Sequence, residues 1–460
     1  MEAPFDIAAD LDTPVSAYLK LAPFEPRFLL ESVESGETLA RYSFVGLGTA
    51  LTLKLYPDRV VIDGQPRERP AGAGAWQALM RETLDRCPKL KPSIDEIPFN
   101  GGLVGATGYD VVRYFERLPA MESTRKMLPV AAYVAPKSLL VFDHLTRRVA
   151  LLHSGSEPER QALRRDVIEA LRGGVSPPAN GRHGPAAPSV AKADFLAAVD
   201  KAKDHIRAGD IYQIVLSVCF SGRSNLDAFQ VYRGLRLLNP SPYMYFFELG
   251  QLRVAGSSPE ALVELDHGHA SLRPIAGTRP RGATAEEDLA LERELLADPK
   301  ENAEHVMLVD LARNDLGRVA ASGSVHVDPY RRIERYSHVM HIVSGVKGEL
   351  AAGRDAFDLF AATFPAGTLV GAPKVRAMEL IAELEPVARD LYGGTVGYFS
   401  KNGNMDQAIT IRTIVFDGDE YSFQAGAGIV ADSHPEREHD EVLAKSAILR
   451  RAIEIAEDGL

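Results

Sequence analysis

Between Gly173 and Pro188 the chain reads Gly-Gly-Val-Ser-Pro-Pro-Ala-Asn-Gly-Arg-His-Gly-Pro-Ala-Ala-Pro, and no other stretch limits the fold as strongly. Its prolines offer no backbone N–H, its glycines gain nothing from regular structure, and it has no apolar period. No helix or central strand can run through it. The expectation is a linker over 173–189 dividing an N-terminal region, 1–172, from a C-terminal region, 190–460, the second above the commonest single-domain size. No internal repeat of fixed period is visible.

On either side of the linker, strands and helices mix without regular alternation. Arg27–Val33, Ala50–Tyr56, Arg148–His153, Ile211–Phe220 and Ala408–Phe416 read as strands, the second with clean in-out alternation. Helices are expected at Trp76–Arg86 and near 193–208, 227–236, 285–296, 299–313, 355–362, 373–384 and 436–456. Irregular order argues against a parallel doubly wound sheet, and neither a GxGxxG turn nor a Walker A loop is present. The fold class expected is α+β, with large, mainly antiparallel sheets packed together and helices outside.

A net charge of −11 excludes a general nucleic-acid or anionic-membrane surface, so an anionic ligand needs a local site. Cys87 and Cys219 make neither a disulfide framework nor a metal knuckle, which suits a reducing cytoplasm. The acidic start Met1–Asp10 has no secretory pattern, and runs such as Leu128–Pro136 are too short and too proline-broken to span a bilayer.

Within this acidic chain two glutamate pairs stand out: Glu301 with Glu304, and Glu438 with Glu441. Their i, i+3 spacing puts each pair on one helix face. Alone, either reads as a solvated face: Asp298 and Pro299 suit a helix start, and Glu441 can pair with Lys445. Brought together, four carboxylates would repel unless a hard cation lay between them. Mg²⁺ fits, since it takes oxygen ligands, keeps some waters and bridges to anionic substrates. Arg412 lies among β-branched residues, where a buried guanidinium needs a carboxylate, either a ligand's or the protein's own. Gly426 and Gly428, in Gln424–Val430, allow either an anion-binding backbone nest or a bulge or turn. Pro365–Lys374 and Pro274–Gly282 are further Gly-rich loops.

Taken together, Pro274–Gly282, Glu304–Leu316, His338–Ser344, Phe364–Met378 and Gln424–Ser433 resemble the chorismate-utilising enzymes, in that family's order and across essentially all of 190–460. Within the family the likeness is to the large subunits that make anthranilate, and Leu29–Ser32 with Arg41–Val45 extend it into the N-terminal region. The resemblance implies a chorismate-binding catalytic domain over 190–460 and a regulatory or structural domain over 1–172.

It also implies roles. Glu301, Glu304, Glu438 and Glu441 match a Mg²⁺ cluster, with Glu304 and Glu441 as direct ligands and the metal on the ring carboxylate of chorismate. Arg412, Tyr398, Lys445 and the Gly426, Ala427 and Gly428 backbone would take the enolpyruvyl carboxylate. Glu260 would be the acid that protonates the departing C4 hydroxyl, which requires the raised pKa that burial supplies. Thr278 and Thr368 would donate hydrogen bonds, and His341 would assist elimination of pyruvate. Where isochorismate and salicylate synthases carry a Lys that activates water, this chain has Gln213. Where aminodeoxychorismate synthases carry a nucleophilic Lys, it has Ala276. The implied reaction is amination of chorismate by ammonia at C2 to aminodeoxyisochorismate, then loss of pyruvate to give anthranilate, the first step of tryptophan biosynthesis. Alternatives are an enzyme that stops at aminodeoxyisochorismate, an aminodeoxychorismate synthase, and a non-catalytic sensor. A separate glutamine amidotransferase subunit would supply ammonia, because neither cysteine lies in a nucleophile turn. Glu31, Ser32, Pro242, Tyr243 and Met244 resemble the family's L-tryptophan site, which implies feedback inhibition.

Overall fold

The computed structural model describes residues 4–32, 41–119, 128–177, 179–336 and 339–460. Val33 and His338, the ends of two segments named above, lie outside them. The described residues form an α+β structure built on two large antiparallel sheets. One has 12 strands and includes Tyr42–Leu47, Pro26–Glu31, Tyr243–Leu249, Leu252–Ser258, Thr413–Asp417, Glu420–Ile429 and Gln213–Arg223 in that spatial order. The other has 11 and includes Ala261–Asp266, Met405–Ile409, Thr395–Ser400, Gly102–Thr107, Ala131–Ala135 and Leu51–Leu55.

Each sheet therefore takes strands from both sides of the 173–189 stretch. In the 12-stranded sheet the junction is the pairing of Pro26–Glu31 with Tyr243–Leu249. In the other it is Gly102–Thr107 with Thr395–Ser400. The end of the Pro-rich stretch, Ala187–Pro188, adds a short edge strand beside Gln213–Arg223, the place where a proline's missing donor costs least.

Side-chain alternation sorts the apolar residues into two layers. Phe28, Phe44, Val141, Tyr245 and Val254 of one sheet meet Val104, Val134, Val396 and Tyr398 of the other, forming a layer between the sheets. Their sequence neighbours face outward, where Leu29, Val45, Leu53 and Leu216 pack with helix residues such as Trp76, Phe360 and Leu449.

Each expected helix is present, among them Ala73–Arg86, Lys192–Ala208, Pro299–Gly317 and Pro435–Asp458, while Pro14–Lys20 and Glu157–Arg172 are helices that the sequence reading did not name. Asp298 caps the helix Pro299–Gly317 by accepting from the N–H groups of Lys300 and Glu301, with Pro299 as its first residue. It packs on a small third sheet of Ile275–Pro280, Val339–Val343 and Arg332–Arg335.

The expected strand Ala408–Phe416 is two strands. Met405–Ile409 belongs to one sheet and Thr413–Asp417 to the other, and the chain changes sheets through Thr410–Arg412. Arg412 has φ +50°, a left-handed backbone that no continuous strand could contain. A second crossing, at Pro259–Glu260, lies beside it: the Ser257 N–H donates to the Arg412 carbonyl at 3.1 Å and the Ile409 N–H to the Glu260 carbonyl at 2.9 Å.

The same corner is built in the N-terminal region. Tyr42–Leu47 crosses to Leu51–Leu55 through Gly48, and Ala131–Ala135 crosses to Ser138–Asp143 through Lys137. There the Lys137 N–H donates to Leu47 at 3.0 Å and the Ala50 N–H to Ala135 at 2.9 Å.

Candidate active site

The C-terminal corner sets Glu260 and Arg412 on adjoining crossings, both partly buried. Burial pushes the Glu260 carboxyl above its usual range. A hydrogen bond from Thr368 Oγ1, at 2.8 Å, and the charges of Arg412 and Lys445 oppose the rise. Thr368 stands in the tight turn Gly367–Leu369. The Arg412 guanidinium feels Tyr392, Glu260 and Glu441 around it, but among the described residues it has neither an ion pair nor a hydrogen bond. Of the two readings of this arginine, the internal salt bridge is absent. A cation this enclosed and unpaired is placed to take an anion from outside.

The tyrosine beside Arg412 is Tyr392, which sequence reasoning did not single out. Burial pushes its hydroxyl up to about 12. The signal was available in Leu391-Tyr-Gly-Gly394, which leads into the strand Thr395–Ser400. Tyr398 does not belong to this group. It points into the layer between the sheets, with its ring 4.8 Å from that of Phe99 and 6.5 Å from Phe44. The period of two in the strand decides this.

Gly426–Gly428 form neither a nest nor a bulge. They lie in a regular ladder, Gly426 opposite Ser217 and Gly428 opposite Val215, and neither glycine has a positive φ. What the missing side chains allow is close approach. A Cβ on Gly426 would stand 2.7 Å from the Tyr392 hydroxyl, and one on Gly428 would stand 3.0 Å from Gln213 Nε2. The Gly426 carbonyl accepts from Lys445 Nζ at 3.0 Å, and Lys445 also pairs with Glu441 at 2.6 Å.

Gln213 reaches the glutamates by hydrogen-bonding Glu304. Burial and the charges of Glu301 and Glu441 push the Glu304 carboxyl up, while Gln213 and Lys300 pull it down. Burial and Glu441 likewise raise Glu438. The two helix pairs thus face each other and repel, as four carboxylates approaching one region must. They do not close on a point: among the described residues no group of three or more Asp, Glu, His or Cys side chains could hold a metal ion. Glu441 is held by Lys445, and Glu301 faces Arg279 at 3.4 Å. As a donor set, all carboxylate oxygen, they fit a hard divalent cation.

His341 lies across the small sheet from Thr278, its Nδ1 3.1 Å from Thr278 Oγ1 and 3.0 Å from the Gly277 carbonyl. The carbonyl can only accept, so Nδ1 carries the proton and Nε2 keeps its lone pair. Burial lowers the pKa of the ring and keeps it neutral, as a base requires. Gly277, at φ +71°, bulges the strand here, and a Cβ on it would approach Glu301 Oε2 to 3.2 Å. This places the small sheet against the first carboxylate helix. Ala276, 8 % exposed, precedes the bulge.

Of the residues in the proposed tryptophan site, Met244 lies opposite Glu31 in the junction of the 12-stranded sheet. Glu31 is not free: Arg236 donates to its carboxylate at 3.0 and 3.2 Å, and the Tyr232 hydroxyl hydrogen-bonds it as well. Tyr243 and Met244 face opposite layers, Tyr243 toward Asp406 between the sheets and Met244 toward the helices. Ser32 is exposed, and Pro242 is half-buried.

A cavity of about 60 Å³ reaches Glu260 and Thr368 between Leu308, Leu311 and Ala312. A larger one, about 700 Å³, lies among Glu264, His269, His326 and Lys347 at the far edge of the 11-stranded sheet and touches none of the residues above.

The chain's residues 25–451 match the model of the chorismate binding enzyme family. It is 47% identical over 457 residues to the anthranilate synthase component 1 of Thermus thermophilus, covering 98% of this chain and 97% of that one. The crystal structure of anthranilate synthase component I from Streptococcus pneumoniae superposes with a TM-score of 0.80 at 34% identity, over 98% of this chain and 100% of that one. The menaquinone-specific isochorismate synthase from Escherichia coli, 19% identical, has the same fold with a TM-score of 0.71, over 96% and 92% of the two chains.

Proposed function

The chain belongs to the chorismate binding enzymes, and from that premise we propose that it is an anthranilate synthase large component, converting chorismate and ammonia to anthranilate and pyruvate. The observation that carries this reading is Arg412, an enclosed guanidinium without a partner among the described residues, set beside a half-buried Glu260 whose carboxyl is pushed toward its neutral form. One binds a carboxylate; the other delivers a proton where a hydroxyl leaves.

In the first step ammonia bonds to C2, the ring double bonds shift, and the C4–O bond breaks as Glu260 protonates the departing hydroxyl, releasing water. In the second, His341 Nε2 takes the C2 proton of aminodeoxyisochorismate as the ether bond to the ring breaks and the ring becomes aromatic; the departing enolpyruvate takes a proton on its methylene carbon and leaves as pyruvate. Gln213 has no basic form to activate water, and Ala276 has no amine to attack C2. Ammonia is the nucleophile left, which separates this chain from isochorismate synthases of the same fold. Glu304 and Glu441 would hold Mg²⁺, with Glu301 and Glu438 around them, once Lys445 releases Glu441. The ion would supply positive charge to the ring carboxylate.

The name "component 1" carried by the relatives implies a second component, which we take to be a glutamine amidotransferase. No helix among the described residues is long and apolar enough to cross a membrane, and a cytoplasmic location fits. L-Tryptophan is the proposed inhibitor, bound where Pro26–Glu31 meets Tyr243–Leu249. Anthranilate fluorescence, with chorismate, Mg²⁺ and ammonium, tests the reading. Formation of anthranilate that stops on chelation supports it; an isochorismate or 4-amino product overturns it. Glutamine must fail to replace ammonium for the purified chain alone.

A further inference from the structure

Arg389 is 1 % exposed, and its guanidinium is shared between backbone carbonyls and one carboxylate. Nη1 donates to the Leu369 carbonyl at 2.6 Å, in the turn that carries Thr368. Nη2 donates to the Val215 carbonyl at 2.8 Å, two residues beyond Gln213. Glu385, one helical turn earlier in number, takes Nε at 2.8 Å and Nη2 at 2.7 Å. The same Glu385 carboxylate accepts from the Ser217 N–H at 2.8 Å and its hydroxyl at 2.7 Å. Ser217 is the register partner of Gly426. The guanidinium carbon also stands 4.9 Å from the centre of the Tyr109 ring and 5.6 Å from that of Tyr392.

A buried ion pair is weak support for stability, because a well-packed apolar pair of similar volume does as well. What an apolar pair cannot do is fix separate carbonyls and a tyrosine ring at set distances. Here those groups are the turn that presents Thr368 to the acid, the strand that presents Gln213, and the tyrosine beside Arg412. We propose that Arg389, oriented by Glu385, is a positioning residue for the reaction, holding the proton-donating side of the site in register with its carboxylate-binding side. It touches no reacting atom and acts through Thr368 and Tyr392. The inference rests on Glu260 being the acid.

The test is a double-mutant cycle of Arg389→Lys and Thr368→Val, read as kcat per active site and as the pH dependence of kcat. Lysine keeps the charge but loses the planar fork. The groups facing Glu260 are Thr368, Arg412 and Lys445, with Arg273 and Asp315 lining the adjoining cavity. Of these, the cycle alters only Thr368. Losing one such hydrogen bond lowers kcat roughly tenfold. Because that bond favours the ionised form of Glu260, its loss also moves the basic limb of the profile to higher pH. Arg389→Lys is expected to move the limb the same way, and the double variant to lose no more than the worse single. Losses that multiply, or Arg389→Lys lowering thermal stability alone with kcat and the basic limb unchanged, would overturn the proposal. Should Arg389→Lys not fold, Glu385→Gln, which leaves the guanidinium but weakens what orients it, takes its place in the cycle under the same criteria. If Thr368→Val and Glu260→Gln themselves leave kcat unchanged, the assignment of the acid has failed instead.

Discussion

Two corners of this molecule share one backbone route and differ in what they carry. Strands cross between the sheets at Gly48 and Lys137 in the N-terminal region, and at Glu260 and Arg412 in the C-terminal region. In each, a pair of backbone hydrogen bonds ties one crossing to the other. At the first corner Lys137 is exposed and lays its chain over Gly48, keeping its charge in water. At the second the charged groups are drawn partly inside, where burial shifts both, and Glu441 and Lys445 of the last helix face them. A sheet-to-sheet corner supplies places where a chain can bend and a side chain can point off the sheet. Which side chain stands there decides whether the corner is only structure.

The sharpest way to break the comparison is to remove charge from both corners. Glu260→Gln is expected to lower kcat roughly 10²–10⁴-fold, the usual worth of a positioned acid. Lys137→Ala should leave turnover unchanged and alter stability by no more than about 0.5 kcal/mol, as for an exposed side chain without a buried partner. A loss at Lys137 comparable to that at Glu260 would mean that the corners are not distinct in function. The pH profile sharpens the same point. Glu260, raised, must be protonated, so kcat falls as pH rises through its pKa. His341, lowered by burial, must be neutral, so activity falls as pH drops through a value below the ordinary histidine range. Glu260→Gln should remove the basic limb and His341→Asn the acidic one.

Next in size is the metal. Glu304→Gln or Glu441→Gln removes a proposed direct ligand and should weaken Mg²⁺ activation by at least about 100-fold, the upper end of what supporting groups alone contribute. Titration of activity with Mg²⁺ checks this, and near-normal turnover in saturating chelator would remove the metal from the mechanism.

Much of this was legible in the sequence, and the exceptions have specific causes. Capping by Asp298-Pro299 and the i, i+3 glutamates fixed the carboxylate helices, because those signals are local. Arg412 was visible as a charged residue in a β-branched run. Its left-handed backbone was not, since only the crossing of sheets imposes it. Tyr398 was misplaced because the chain packs strand faces in alternation, and which face meets the other sheet is a tertiary fact. The glycines at 426 and 428 were read as an anion-binding nest or else a bulge or turn; they are narrow places where Tyr392 and Gln213 approach the strand. The Pro-rich stretch was visible as a break, but pairing of Pro26–Glu31 with Tyr243–Leu249 across it needs a long-range contact that no local pattern announces.

The two tyrosines give a smaller and more selective test. Tyr392→Phe removes a hydroxyl beside Arg412 and Gly426 and should raise the KM for chorismate about tenfold, as for a lost hydrogen bond to a charged group. Tyr398→Phe, inside the sandwich, should leave KM within about twofold and show itself in thermal stability, on the scale of a single buried hydroxyl. The reverse pattern would return Tyr398 to the site.

The smallest effect expected is the one that would join the corners. Between the strand of the first corner, Tyr42–Leu47, and that of the second, Leu252–Ser258, lie only Pro26–Glu31 and Tyr243–Leu249, the junction proposed to bind L-tryptophan. An α-ammonium group there must compete with Arg236 for the Glu31 carboxylate, which limits affinity and makes binding and release of Arg236 one event. If that event shifts the junction, the strand next to it carries the shift to Ser257, whose N–H donates to the Arg412 carbonyl. Tryptophan would then weaken chorismate binding, and chorismate would weaken tryptophan binding by the same factor, about fivefold for a coupling at the low end of the usual range. Initial rates at chorismate near KM, titrated with tryptophan, measure it. Ser32→Leu should abolish the response and leave uninhibited turnover intact, because Ser32 is exposed and lies just past the end of Pro26–Glu31. A rate that stays flat to millimolar tryptophan would leave the junction as structure and the two corners uncoupled.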